Sequence, residues 1–162
     1  MVKMVFGAET MKNDYHILVD SDAFVGWMLK GDAHYERAGA LFAQIKEKRT
    51  SVVTTSAVVD ETITVLSHRQ GQDTARAFLE QVIEQGEFPV LFISEAIRTQ
   101  ALDLFVAQTK KGTSMTDCIN AAICARMAIP YIFSFDKAYP TQFNISLLES
   151  IGAETDRGPA KQ

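Results

Sequence analysis

Four short apolar runs constrain this chain more than any other feature: His16-Ile17-Leu18-Val19, Ser51-Val52-Val53-Thr54-Thr55, Pro89 to Ile93, and Tyr131 to Phe133. None alternates apolar with polar residues, which is how strands buried on both faces read. Helix-period segments separate them. Ala23 to Leu29 is a short apolar helix stopped at Lys30-Gly31. Asp32 reads as the N-cap of a helix to about Lys48, with Tyr35, Ala38, Leu41, Phe42 and Ile45 on one face. Ser56 caps a helix whose Val58, Val59, Ile63 and Leu66 face inward, and Asp73 caps another that runs to Gln85, with Gly86 as its left-handed stop. Ser94 opens a helix to Lys111, Ser114 opens one through Met127, and Phe143-Asn144-Ile145 is a weaker fifth strand. Strands alternating with helices mean βαβ units. The expected fold is a three-layer α/β/α sandwich around a central, mostly parallel sheet of four to five strands.

The 162 residues suit one domain, large enough to bury a core without metal or disulfide staples. Residues 1–14 read as a weakly ordered extension, 15–150 as the folded domain and 151–162 as a flexible tail. No apolar run approaches the ~20 residues of a membrane span, and the start is too short for a signal peptide. Cys118 and Cys124 point some 240° apart on one helix, so they cannot bridge each other. Reduced core thiols suit a cytoplasmic protein. The net charge of −4 argues against a chain that coats nucleic acid through bulk positive charge, so any such contact is local.

Ligands of open α/β sheets sit beyond the carboxyl ends of the strands. Asp20 ends the first run and Asp136 lies just past the fourth. Asp117 opens the helix leading into that run, and Glu61 lies one to two turns into the helix after the second. All four can converge on one edge of the sheet. Carboxylates sharing a pocket repel one another and take up protons unless a cation compensates. Oxygen donors without His or Cys suit Mg²⁺ or Mn²⁺, and such an ion commonly serves the hydrolysis of phosphate esters. Each acid also has a plain structural reading. Asp20 or Asp22 can cap the short helix, Ser114-Met115-Thr116-Asp117 fits a capping box, Asp60 competes with Glu61, and Asp136 fits a turn.

Ile17-Leu18-Val19-Asp20-Ser21-Asp22 resembles the first motif of PIN-domain ribonucleases. Thr55-Ser56-Ala57-Val58-Val59-Asp60-Glu61 resembles the second, Thr116-Asp117-Cys118-Ile119-Asn120-Ala121-Ala122 the third, and Phe133-Ser134-Phe135-Asp136-Lys137-Ala138-Tyr139 the fourth. The spacings of 41, 56 and 19 residues between the acids suit a compact PIN domain over roughly residues 15–149. The resemblance implies a Mg²⁺- or Mn²⁺-dependent ribonuclease in which Asp20, Glu61, Asp117 and Asp136 ligate metal, directly or through water. Ser21 and Ser134 would support them by hydrogen bonds. Asp22 stands where the family more often has Ser or Asn, and reads as a further ligand or a support residue. Small PIN proteins of this kind resemble VapC-type toxins, which implies a homodimer held inactive by an antitoxin peptide over the acidic pocket.

His16, His34 and His68 lack ligand-like spacing, and no serine or cysteine nucleophile is marked by a poised His. Trp27 with Phe24, Met28 and Leu29 reads as core packing or as a groove for a dimer or antitoxin partner. Arg69, Lys110, Lys111 and Lys137 flank elements that approach the acidic edge and are candidate RNA contacts. Two other functions fit parts of the pattern. Asp20-Ser21-Asp22 also reads as the D-x-D motif of haloacid-dehalogenase-like phosphatases, although Phe24 and the lack of a well-placed lysine weigh against it. A PIN fold with a dormant site would be an RNA- or protein-binding module.

Overall fold

Each expected run is a strand in the computed structural model, which describes residues 4–5, 15–86 and 88–152. The strands are β1 (Met4–Val5), β2 (Ile17–Val19), β3 (Val52–Thr55), β4 (Val90–Leu91), β5 (Tyr131–Phe133) and β6 (Ser146–Leu147). All pair in parallel, in the order β1-β4-β3-β2-β5-β6. The expected four to five strands are thus joined by an edge strand drawn from the N-terminal segment. The rest of residues 1–14, and the tail beyond residue 152, lie outside the described residues.

Among the described residues six α-helices cover the sheet: α1 (Ser21–Met28), α2 (Tyr35–Lys48), α3 (Ser56–Gln70), α4 (Gln72–Phe78), α5 (Glu95–Ala107) and α6 (Met115–Met127). Alternate strand residues point to opposite faces, so Ile17 and Val19 pack with α1 to α4 while Leu18 packs with α5 and α6. This gives the two cores of a three-layer sandwich. Thr54 and Thr55 are polar yet wholly buried. The Thr54 hydroxyl donates to Val19 O (2.9 Å), and Thr55 Oγ1 caps α3 by accepting from Val58 N–H (3.1 Å). Cys118 and Cys124 are free and buried.

Several local expectations are corrected. Asp32 does not cap α2, which starts only at Tyr35. Its carboxylate closes a turn by accepting from His34 N–H (2.9 Å) and pairs with Arg69 Nη1 (2.8 Å). Thr55 rather than Ser56 is the N-cap of α3, because the hydroxyl one residue earlier reaches the third amide. Gly71 (φ 93°) precedes α4 and leaves Asp73 inside the first turn, paired with Arg76 (2.8 Å). The helix continues into a π-helical turn, Leu79–Glu84, before Gly86 (φ 66°). Helix α5 ends at Ala107, so Lys110 and Lys111 lie in the loop to α6. The fifth strand is not Phe143-Asn144-Ile145. Tyr139–Phe143 is a π-helical turn closed by Asn144 (φ 55°), and pairing resumes at Ser146.

The face around Trp27 serves two ends. Its ring packs on Phe42 (4.5 Å between centroids) and also lines a cavity of about 540 Å³ with Gly39, Ala43, Lys46 and Arg49. Beneath it, Phe24 is fully buried, 5.2 Å from Phe78, 5.3 Å from Phe88 and 5.7 Å from Phe42. Phe24→Ala empties the middle of this aromatic group and is expected to cost about 3–5 kcal/mol in urea unfolding. A loss below about 1 kcal/mol would mean the cluster does not carry the α1–α4 core.

Candidate active site

Strand β2 lies between β3 and β5, where the chain's direction of travel across the sheet reverses. Helices α1 to α4 pack on one face there and α5 and α6 on the other, which opens a crevice beyond the carboxyl ends. Asp20 sits at its floor, 3 % exposed, tied to β5 by its own N–H to Phe133 O (3.0 Å). It caps α1, its Oδ1 accepting from Ser21 N–H (2.8 Å) and from Asn120 Nδ2 (2.9 Å). Its Oδ2 receives the Tyr139 hydroxyl at 2.9 Å. Asp117 reaches the same hydroxyl with Oδ1 at 3.1 Å, while its Oδ2 accepts from Ser114 N–H (2.7 Å) in the capping box. The cap and the pocket therefore share one carboxylate in each case.

The remaining acids stand around this pair. Ser21 Oγ donates to half-buried Glu61 (3.1 Å), while its neighbour Asp60 is exposed. Asp22 Oδ2 accepts from Ser134 Oγ (3.0 Å) and Phe135 N–H (2.7 Å), and Ser134 Oγ in turn accepts from Asp136 N–H (3.0 Å). Asp136 is exposed, its Oδ1 taking Ala138 N–H at 2.7 Å. Asp20, Asp117 and Glu61 thus share one hydrogen-bonded network through Tyr139, Asn120 and Ser21. Asp22, Ser134 and the Asp136 backbone amide form a second set beside it, with the Asp136 carboxylate turned to its own loop. The candidate basic residues join neither. Arg69 is spent on Asp32, and Lys110, Lys111 and Lys137 are exposed, with Lys137 beside Asp136 at the rim.

Charge without a counter-charge marks the pocket. Among the described residues the ion pairs are Asp32–Arg69 and Asp73–Arg76, neither of which touches these acids. Burial, then the Asp22 charge, pushes the Asp20 carboxyl up to about 8 against the opposing pull of its Ser21 and Tyr139 donors. Burial likewise lifts Asp22 to about 6, with the Asp136 charge adding to it and the Phe135 and Ser134 donors resisting. Tyr139 is raised well above its ordinary value by burial and by the charges of Asp20 and Asp117. Burial, and then Asp20, pushes the Cys124 thiol up to about 12, so it is no nucleophile.

Two residues here were not singled out from sequence. Asn120 is fully buried, bonded to Thr55, Asp20 and Tyr139. The signal was its place three residues after Asp117, on the same helix face. Tyr139 was visible only as an aromatic after Asp136, and nothing in its spacing announces a hydroxyl turned inward.

A hard divalent cation fits this donor set by its chemistry. The donors are all oxygen. One of them, Asp22 Oδ1, is buried with no hydrogen-bond partner, and a buried acceptor of that kind calls for an ion or water. Among the described residues no three acidic, imidazole or thiol groups stand ready to hold one ion. The oxygens of Asp20 and Asp117 are engaged by amide and hydroxyl donors, so loading would require some of those bonds to yield.

The model of the PIN domain family matches residues 17–141. A VapC ribonuclease of Archaeoglobus fulgidus is 27% identical over 124 residues, covering 75% of this chain and 78% of that protein. Among solved structures, VapC20 of Mycobacterium tuberculosis, described as a toxin that cleaves the sarcin-ricin loop, matches with a TM-score of 0.67 and 25% identity over 74% of this chain and 89% of its own. The VapBC2 complex of Rickettsia felis, bound to a promoter DNA fragment, matches in fold with a TM-score of 0.59 at 14% identity, over 84% of this chain and 98% of that one.

The raised Asp20 sets a direction for stability. An acid that holds its proton more tightly when folded makes the metal-free protein less stable as pH climbs from about 4 toward about 8. Asp20→Asn keeps the cap acceptor and removes the charge. It is expected to raise stability in EDTA by an amount that grows by up to about 1.4 kcal/mol per pH unit between pH 6 and 8. Thermal unfolding across that range checks it, and a gain that shrinks with pH contradicts the electrostatic account.

Proposed function

The chain belongs to the PIN domain family, and on that basis we propose that it is a divalent-metal-dependent endoribonuclease, the toxin of a toxin–antitoxin pair. The observation that carries this reading is the group of acids at the carboxyl edge of the sheet, with Asp20 and Asp117 buried, no ion-pair partner among the described residues and one orphan oxygen on Asp22. Asp20, Glu61, Asp117 and Asp136 are the proposed Mg²⁺ or Mn²⁺ ligands, directly or through water, with Asp22 close enough to join them. A bound divalent ion supplies an activated water and neutralises charge on the phosphoryl oxygens.

The chain's own residues do the rest. Asn120 and Tyr139 hold Asp20, the Ser114 cap holds Asp117, Ser21 holds Glu61, and Ser134 joins Asp22 to Asp136. Lys137 stands beside Asp136 at the rim, where it can meet a backbone phosphate, while Lys110 and Lys111 lie on the loop into α6. Such contacts make RNA binding fall steeply with salt. The D-x-D phosphatase alternative loses its support to the family match, and Asp22 Oδ2, held by Phe135 N–H and Ser134, is committed to the fold. The likeness to VapC proteins supports the proposed partners: RNA as substrate, an antitoxin as inhibitor and a second copy of this chain. No described helix is long and apolar enough to cross a membrane, and the cytoplasm is the proposed location.

Purified protein incubated with a structured RNA should cleave it in Mn²⁺ and not in EDTA. Asp20→Asn should lose more than the roughly 10- to 100-fold expected for a residue acting behind a metal ligand. Turnover of a phosphomonoester instead would revive the phosphatase reading, and neither activity would leave a binding module.

A further inference from the structure

We infer that the Tyr139 hydroxyl is a positioning group that sets Asp20 and Asp117 at the spacing a divalent cation needs; this rests on the metal-dependent reading above. The ring alone would satisfy packing. It is fully buried in the α5–α6 core and lies 6.1 Å from Phe143. A buried hydroxyl is costly unless it is bonded, and this one has as partners Asp20 Oδ2 (2.9 Å), Asp117 Oδ1 (3.1 Å) and Asn120 Nδ2 (3.0 Å). Phenylalanine would fill the same space, so the hydroxyl answers to the acids.

Counting hydrogens sharpens the role. The Asn120 amide gives one N–H to Asp20 and one to the Tyr139 oxygen, and its carbonyl is taken by the Thr55 hydroxyl (3.3 Å). Tyr139 then has one proton for two carboxylate oxygens. One donor thus faces two acceptor oxygens, and only one of them can take the phenol proton at a time. A cation bound by either acid would leave the phenol to hold the other. Because the phenol oxygen lies within hydrogen-bond reach of both carboxylates, its one proton can hold whichever of them the cation leaves free.

The same short segment carries Asp136 and Tyr139. Asp136 Oδ1 accepts from Ala138 N–H (2.7 Å), Thr141 N–H returns to Lys137 O (3.3 Å), and Ile145 N–H closes on Tyr139 O (3.1 Å). Tyr139 opens the π-helical turn there, and such turns recur at functional sites. The hydroxyl is thus placed by a rigid loop that also delivers a proposed ligand.

Tyr139→Phe removes one oxygen atom and tests this. Calorimetric titration with Mn²⁺, with no RNA present, should show affinity reduced about 10- to 100-fold. Cleavage should need correspondingly more Mn²⁺ for half-maximal rate while kcat at saturating metal stays within a few-fold of the parent. Unchanged Mn²⁺ affinity, whatever happens to the melting temperature, overturns the inference. Should the variant fail to fold, the parent protein supplies the second measurement. Mn²⁺ binding should produce a tyrosine difference band in the near-ultraviolet that saturates with the calorimetric isotherm, and a flat spectrum overturns the inference equally. A parent that takes up no Mn²⁺ refutes the metal reading itself and this inference with it, whereas a parent that binds Mn²⁺ as tightly as the variant refutes the inference alone.

Discussion

The burial of carboxylates away from water, with their mutual repulsion added to it, governs the polar contacts around the crevice. Asp20 and Asp117 are nearly inaccessible to water, and an ionised carboxylate in such a place is tolerable only if donors surround it. Almost every polar group nearby is arranged accordingly: the Ser21 and Ser114 amides, the Asn120 amide, the Tyr139 hydroxyl, and the Phe135 amide for Asp22. These donors come from the ends of β2 and β5, from the first turns of α1 and α6, and from the turn after β5. The acids therefore draw polar groups from several segments to one place, above the apolar contacts that Val19, Ala23 and Phe133 make on one face and Leu18, Cys118 and Tyr139 on the other. The tension left over, seen in the raised Asp20 and Asp22 carboxyls, is the kind of stability a site gives up in order to act.

Capping and chemistry turn out to be compatible roles for the same side chain. Asp20 caps α1 and Asp117 completes a capping box on α6, so the structural reading of each acid is correct. A helix N-terminus is also the place where a carboxylate is most easily kept ionised, because the free amides and the helix dipole favour negative charge. Using caps as pocket acids lets two helix starts aim their carboxylates at a common point, where Asn120 and Tyr139 complete the support. The two readings that the sequence sets against each other describe one atom arrangement.

Much of the fold was legible because its signals are local. Runs such as Ile17-Leu18-Val19 carry their burial in their composition, and the Ser114-to-Asp117 spacing carries its cap. Asp20 could be placed at the crevice because the end of a parallel strand has a known address. Signals that depend on distant partners were not legible. Asp32 looks like any N-cap until Arg69, on another helix, is seen beside it. Phe143-Asn144-Ile145 has strand composition, but the π-helical turn takes Phe143 and shifts pairing to Ser146. Tyr139 and Asn120 are ordinary residues for a core, and only the meeting of β2, α6 and the turn after β5 makes them polar neighbours of the acids.

The turn after β5 has a bearing on how this chain tolerates change. A π-helical turn holds one more residue per hydrogen-bonded loop than an α-helical one, and here it joins Tyr139, fixed in the crevice, to β6, whose Ser146 and Leu147 are in register with Tyr131 and Ile132. Losing a single residue from the turn would either draw the phenol out of the acids or slip β6 by one position, and a one-position slip turns a strand's side chains to the opposite face. Many side-chain replacements at Pro140, Thr141 or Gln142 leave that tally alone. What descendants of this sequence must inherit in this loop is its length more than its spelling.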